Sequence, residues 1–412
     1  MAFRSRLRNL SVMVVLTLVT PLAVGFRLMG FRFPSVGLQH RVGHLIAEPF
    51  YAELLRRKRP SQFRRFIVLI PGGECANAAV LDALPRHFRV IRTPILCMLL
   101  YPFQRHPLSH VNMNEAVRTA TGPALLFREI AEADCTRPFL NVPGRDSTEY
   151  VELLESLGIP DGAKVMCLHS RERGYSPIDD DMHAYRNSDP QTYLAAIEYA
   201  VARGRIVVRM GHPSMEALPE MPGVVDYVHS PSRSPKADLM LASNCDLIVG
   251  NSSGALVMSA CQWRPLVAVN VAPLGAARAW GPSDICVPKL YRWRESGVLL
   301  SLSEVFGGWI CDARTSAALK SAGVSEVDCG EDEILEAVRE MIDRIDGHPW
   351  KSDERDEELQ DRFRSLFKLT NYSYYSQTRA SRYFLRKHQD LVWVREEKSV
   401  SRHNHDGGAR CI

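Results

Sequence analysis

The stretch Asp238 to Asn270, DLMLASNCDLIVGNSSGALVMSACQWRPLVAVN, constrains the fold more than any other part of the chain. Leu239 to Ala242 fit a short helix, and the apolar run Leu247, Ile248 and Val249 predicts a buried parallel strand. That run ends at Gly250-Asn251-Ser252-Ser253-Gly254, where glycines permit close backbone approach and hydroxyls can cap a following helix. Ala255 to Trp263 would form that helix, Pro265 would stop it, and Leu266 to Val269 would be the next parallel strand. The result is one βαβ unit whose turn suits an anion, above all a phosphate. Taken alone, such a turn serves equally well to cap an ordinary helix.

The same alternation runs through the chain. Lys164 to Leu168 reads as a strand that opens into the polar string His169-Ser170-Arg171-Glu172-Arg173-Gly174-Tyr175, and Pro190 to Arg203 as an amphipathic helix. Arg205 to Arg209 is a strand closed by Met210-Gly211-His212-Pro213, and Val224 to Val228 another. Repeated in this way, the units predict an α/β fold with a doubly wound parallel sheet. Nearer the N-terminus, Phe66 to Ile70 and Phe88 to Ile91 read as strands, Ile95 to Leu100 as either a strand or a buried helix, and Ser147 to Leu157 as a helix. Pro273 to Lys289 shows little periodicity and reads as a surface loop.

A chain of 412 residues, 46% of them hydrophobic, exceeds the ~250–300 residues at which single cores stop growing, so two domains and a cleft are expected. The expected division is a membrane-associated segment over 1–35, an N-terminal α/β domain over 36–158 and a C-terminal one over 159–348. Helices over 349–396 would pack across both lobes, and 397–412 would be a disordered tail. The formal charge of +4 gives nucleic-acid binding no support. Ten cysteines without a CxxC pair argue against structural zinc and disulfides, and fit a reducing cytosol. No GxGxxG follows a strand with an acidic residue ~20 positions on, which argues against a dinucleotide dehydrogenase. Leu10 to Phe26 is almost wholly apolar, flanked by Arg4, Arg6 and Arg8 and by Arg27 and Arg32, but is short for a spanning helix and contains Pro21. With the basic cluster Arg56 to Arg65 it predicts a peripheral or single-pass protein at the cytoplasmic face of the inner membrane; a cleaved secretory signal is the alternative.

Three features converge on a diphosphate: the strand end with His169 and Arg171, the strand end Arg209-Met210-Gly211, and the Gly250 to Gly254 turn. Arginine matches phosphate oxygens bidentately and stays charged, while helix N–H groups add donors. Arg41-Val42-Gly43-His44-Leu45 with Glu48, Cys167-Leu168-His169-Ser170-Arg171 with Gly174-Tyr175, and Asp181 through His183 to Tyr185-Arg186-Asn187 stand in serial order along the chain. Tyr193-Leu194, Ala196-Ile197, Arg209-Met210-Gly211, Ile248 to Gly254 and Pro288-Lys289-Leu290-Tyr291 continue the series. In these motifs the chain resembles a family of glycosyltransferases of bacterial surface-carbohydrate biosynthesis with a GT-B-like fold, two Rossmann-type doubly wound domains facing a cleft. His169-x-Arg171 is also similar to the phosphate-contacting motif of fucosyltransferases.

The resemblance implies transfer of a sugar from a nucleotide diphosphate sugar, held by the C-terminal lobe, to a glycan or lipid-linked acceptor at the membrane surface. Donor contacts would come from His169, Arg171, Arg209, Gly211, Gly250, Asn251, Ser252, Ser253 and Gly254. No cofactor or metal is called for, since protein cations and a helix dipole can meet the departing diphosphate. Asp179 to Asp181 read as a solvated loop, with metal binding the alternative. His183 and Asp181 are the candidates for deprotonating an acceptor hydroxyl. A nucleotide-sugar epimerase of the same architecture and a non-catalytic nucleotide- or membrane-binding scaffold are the rival readings.

Overall fold

The computed structural model of the protein describes residues 2–116, 122–174, 181–276, 279–348 and 352–392. The N-terminal lobe follows the order α1 (Ala2–Leu28), β1 (Phe31–Pro34), α2 (Val42–Lys58), β2 (Arg65–Leu69), α3 (Ala78–Asp82), β3 (Phe88–Ile91), α4 (Pro94–Arg105) and β4 (His110–Val111). Its four strands are all parallel and lie in the order β3-β2-β1-β4. Because a strand's side chains alternate, the sheet has two different faces. Phe66 and Val68 enter the main core beside α2, whereas Ile67 and Leu69 meet Val19, Ala23 and Phe26 of α1 and Cys97, Leu100 and Phe103 of α4. Those spacings of three and four place each trio on one helix face. Ile95 to Leu100 is therefore helical, and its outward side chains are exposed.

The second lobe carries β5 (Lys164–His169), β6 (Arg205–Arg209), β7 (Val224–Val225), β8 (Leu247–Gly250), β9 (Leu266–Val271) and β10 (Ile285–Pro288). β11 (Leu290–Trp293) and β12 (Val324–Val327) form an antiparallel ribbon, and β13 (Arg379–Ala380) returns to the sheet edge. The parallel seven-stranded order, β13-β10-β9-β8-β5-β6-β7, is doubly wound and reverses between β5 and β8. Their carboxyl ends meet where His169 pairs with Gly250. β8 and β9 are buried along their whole length, as continuous apolar runs covered on both faces require.

Two local expectations are corrected. Pro273 to Lys289 is not a surface loop: it contains β10, and Leu274, Trp280 and Ile285 are buried. Its order comes from a buried carboxylate, Asp284, which accepts hydrogen bonds from the backbone of Leu266 at 3.2 Å, Trp280 at 3.1 Å and Gly281 at 2.8 Å. Such anchoring leaves no hydrophobic period to read. The helix after the glycine turn spans only Leu256–Ala260, because the chain leaves it to a left-handed Trp263 at φ 59°. Leaving early puts the Gln262 side chain against the backbone of Phe139 and Leu140, which ties the segment between the lobes to the second one.

Among the described residues no helix is long and apolar enough to cross a membrane. In the basic cluster, Arg56 and Arg57 bind the buried Glu53, and Lys58 pairs with Glu129. The tail 397–412 lies outside the described residues.

Candidate functional site

In open α/β sheets a ligand crevice forms beyond the carboxyl ends of the strands, where strand order reverses. Here the β5–β8 reversal of the second sheet faces the start of α2, which follows the carboxyl end of β1 in the first. Between them lies a cavity of about 210 Å³. The lobes touch at its floor: a Cβ on Gly254 would stand 2.6 Å from the Gly43 nitrogen, so only glycine lets the turn meet the first turn of α2. Asn77 adds a second tie, donating to the Pro235 carbonyl at 3.0 Å.

His169, Arg171, His183, Gly211, Ser253 and Gly254 line this cavity. His169 is buried, its Nδ1 lies 3.1 Å from the Met210 carbonyl, and its Nε2 has no protein partner. Burial pushes the imidazole down to about 4; the Met210 hydrogen bond opposes that shift, and Arg171 and Arg209 add to it. At neutral pH the ring is uncharged, with its proton on Nδ1 because a carbonyl can only accept. Nε2 therefore offers a lone pair to the cavity. It can receive a ligand hydroxyl but cannot donate to a phosphate oxygen.

Arg171 donates to the His183 carbonyl at 3.0 Å and to Asn187 Oδ1. His183 Nε2 stands 3.3 Å from Arg41 of the opposite lobe, and its Nδ1 3.5 Å from Arg186. A guanidinium only donates and an uncharged imidazole has one accepting nitrogen, so whichever of the two arginines donates to His183 takes the lone pair that an acceptor proton would need. Asp181 has an exposed side chain and does not line the cavity; Asp179, Asp180 and Tyr175 lie outside the described residues.

The remaining expected contacts act behind the wall. Arg209, 1% exposed, donates to Glu172 at 2.7 Å and to the Glu216 carbonyl, with Asp226 3.4 Å away, so its guanidinium is held inside the lobe. Asn251 accepts from the Arg171 backbone at 2.8 Å and donates to the Arg186 carbonyl at 2.7 Å and Ser188 Oγ at 3.1 Å, which locks both cationic loops to β8. Ser252 Oγ accepts from the Ala272 backbone at 3.1 Å. A Cβ at Gly250 would collide with the His169 carbonyl, and one at Gly211 with Met215 Sδ.

Arg41, His44, Arg186 and Arg233 also line the cavity, and the sequence singled out none of them for chemistry. Arg233 Nε is buried without a protein partner. The N-cap of α2 is Arg41, which supplies no side-chain cap, and the first-turn N–H groups of Val42 and Gly43 have no intrahelical acceptor. His44 Nδ1 lies 3.7 Å from the carboxylate of buried Glu48, one turn on, an ion-pair distance longer than a hydrogen bond. The signal was present: a histidine four residues before a glutamate in the first half of the helix places both on one face. Of the acids in the cavity, Glu172 is taken by Arg209. Burial pushes the Asp238 carboxyl up, opposed by the Tyr227 hydroxyl 2.8 Å away and by Arg233. Arg41, Arg171, Arg186 and Arg233 against these two acids leave the cleft electropositive.

No family model matches the chain, and no curated protein does. Among solved structures, it is similar to a glycosyl transferase of family 9 from Veillonella parvula, at 12% identity over 76% of this chain and 96% of that one, with a TM-score of 0.44. It is similar also to an E. coli heptosyltransferase, at 12% identity over 63% and 90% with a TM-score of 0.29, and to a wall teichoic acid polymerase, at 10% over 65% and 78% with a TM-score of 0.32.

Proposed function

We propose that the protein is a glycosyltransferase of GT-B-like architecture that moves a sugar from a nucleotide diphosphate sugar to a hydroxyl of a glycan or lipid-linked acceptor. The observation that carries this reading is the interlobe cavity itself. Arg41 comes from one lobe and Arg171, Arg186 and Arg233 from the other, beside an uncapped helix start, where a diphosphate finds charge from both sides. A nucleoside diphosphate lies against the β5–β8 ends, with a ribose or sugar hydroxyl donating to His169 Nε2.

In the reaction the acceptor hydroxyl attacks the anomeric carbon as its proton passes to a base. The bond from that carbon to the diphosphate oxygen breaks, and the nucleoside diphosphate leaves with the electron pair. Its new negative charge falls among the guanidiniums and the first-turn N–H groups of α2, whose dipole favours it. His44 is the base this geometry supports, because it enters from the acceptor side and has Glu48 behind it to stabilise the imidazolium.

Thermal-shift measurements with GDP-, UDP-, CMP- and dTDP-sugars, followed by mass analysis of products formed with the best binder, test the proposal. A stabilising nucleotide sugar and a glycosylated acceptor are expected. Stabilisation with only an epimerised sugar as product would replace transfer by epimerisation, and no stabilisation by any of them would remove the donor site.

A further inference from the structure

The outer helical layer of a doubly wound domain faces water and is normally polar on that side. On the N-terminal lobe it is not. α1 buries Val19, Ala23 and Phe26 against the sheet, with Phe26 packed edge-on to Phe33 and Phe103 and Thr20 Oγ1 3.2 Å from His106 Nε2. α4 packs beside it through Cys97, Leu100 and Phe103. Both then turn more apolar side chains outward: Leu18 is 74% exposed and Leu22 63% on α1, and Ile95 65%, Met98 69% and Leu99 60% on α4. Neither helix contains an aspartate or glutamate. Arginines stand at the margins, with Arg27 in the last turn of α1 and Arg105 in the last turn of α4.

We infer that α1 and α4 together form a monotopic membrane-docking face that lies flat on an anionic lipid surface, with α4 a lipid-inserting element in its own right. The docking of α1 along the sheet opposes a perpendicular span, because leaving would expose Ile67, Leu69 and Phe33. A helix apolar on all sides is stable only when its outer face is covered. Two adjacent helices with such faces, free of acids and edged by arginine, match an acyl boundary beneath anionic headgroups. A single amphipathic anchor predicts that only α1 matters; here the exposed apolar side chains of α4 add a second contact, from a helix about seventy residues later in the chain. The inference does not depend on the chemistry proposed for the cleft.

Flotation of the full-length protein with vesicles tests it. The wild type is expected to float with vesicles of phosphatidylethanolamine containing one-third phosphatidylglycerol, and to bind pure phosphatidylcholine at least tenfold less. Met98→Glu with Leu99→Glu should lower binding to the anionic vesicles at least tenfold, as should Leu18→Glu with Leu22→Glu. Circular dichroism and nucleotide-induced stabilisation should remain, which separates loss of docking from loss of fold or donor site. If the α4 pair binds like the wild type, α4 is no membrane element. If the wild type stays in the aqueous phase and sediments as a dimer that the α4 pair dissociates, a second copy covers this face and the inference is wrong. Should the α4 pair fail to fold, Met98→Ser with Leu99→Ser gives the same comparison with less disturbance.

Discussion

Two segments reach the cleft from opposite lobes, Gly250 to Gly254 after β8 and Arg41 to His44 at the start of α2, and they differ in how their polar groups are engaged. The first is conspicuous in sequence, yet Asn251 and Ser252 satisfy backbone groups behind the wall, and its helix is only five residues long. The second opens a seventeen-residue helix with no side-chain cap, and its arginine and histidine both line the cavity. A glycine turn at a strand end can thus be the joint on which a site is assembled while the opposite helix supplies much of the chemistry.

The sharpest way to break this contrast is at His44. His44→Ala is expected to lower kcat by about 10²–10⁴ with nucleoside diphosphate affinity retained, since a positioned base acts on the chemical step. Single-turnover kinetics and calorimetry on the same variant measure both quantities. An unchanged kcat would rule His44 out as the base.

Binding of the leaving group comes next. Arg171→Ala and Arg233→Ala should each remove a charge-assisted contact of ~1.5–3 kcal/mol, one to two decades of diphosphate affinity, with little change in melting temperature. Activity should persist in EDTA, because guanidiniums and the start of α2 neutralise the diphosphate. Loss on chelation with recovery in magnesium or manganese would move the charge balance to Asp179–Asp181.

A smaller effect sharpens the comparison within the turn. Ser253 lines the cavity and Ser252 does not, so Ser253→Asp should repel the diphosphate by about tenfold while Ser252→Asp changes affinity less. The reverse order would place the phosphates deeper, against Ser252 and Ala272.

How much of this was legible follows from what each feature needs. β8, β9 and β5 could be read because continuous apolar runs report burial on two faces. α4 could not be assigned: helix and strand both tolerate an apolar run of its length, and its exposed outer face removed the polar half of the pattern. β10 was missed because Asp284, not a hydrophobic period, orders its approach. For the site, Arg171, His169 and the turn were found because they flank strands in sequence. Arg41 and His44 meet them only through the packing of two lobes, more than a hundred residues apart in the chain, and no local signal carries that juxtaposition.

The smallest predicted effect concerns His169, where binding and folding respond to pH differently. Above about 4 its Nε2 is a lone pair, so this group should leave donor affinity level from pH 8 to about 5 and weaken it as protonation near 4 removes the acceptor. His169→Ala should cost ~0.5–1.5 kcal/mol in donor binding, about threefold to tenfold, and abolish that acid-side fall. For folding, the unfolded chain takes up the proton near the usual 6.5 and the folded one only near 4, so the unfolded state binds more protons between those values. Stability from this group is therefore complete above 6.5 and declines as pH falls towards 4. Removing the imidazole should flatten the melting-temperature slope over that window relative to the wild type. A variant that lost affinity equally at pH 5 and pH 8 but kept the wild-type slope of melting temperature would mean that His169 meets the donor without being the buried neutral acceptor inferred here.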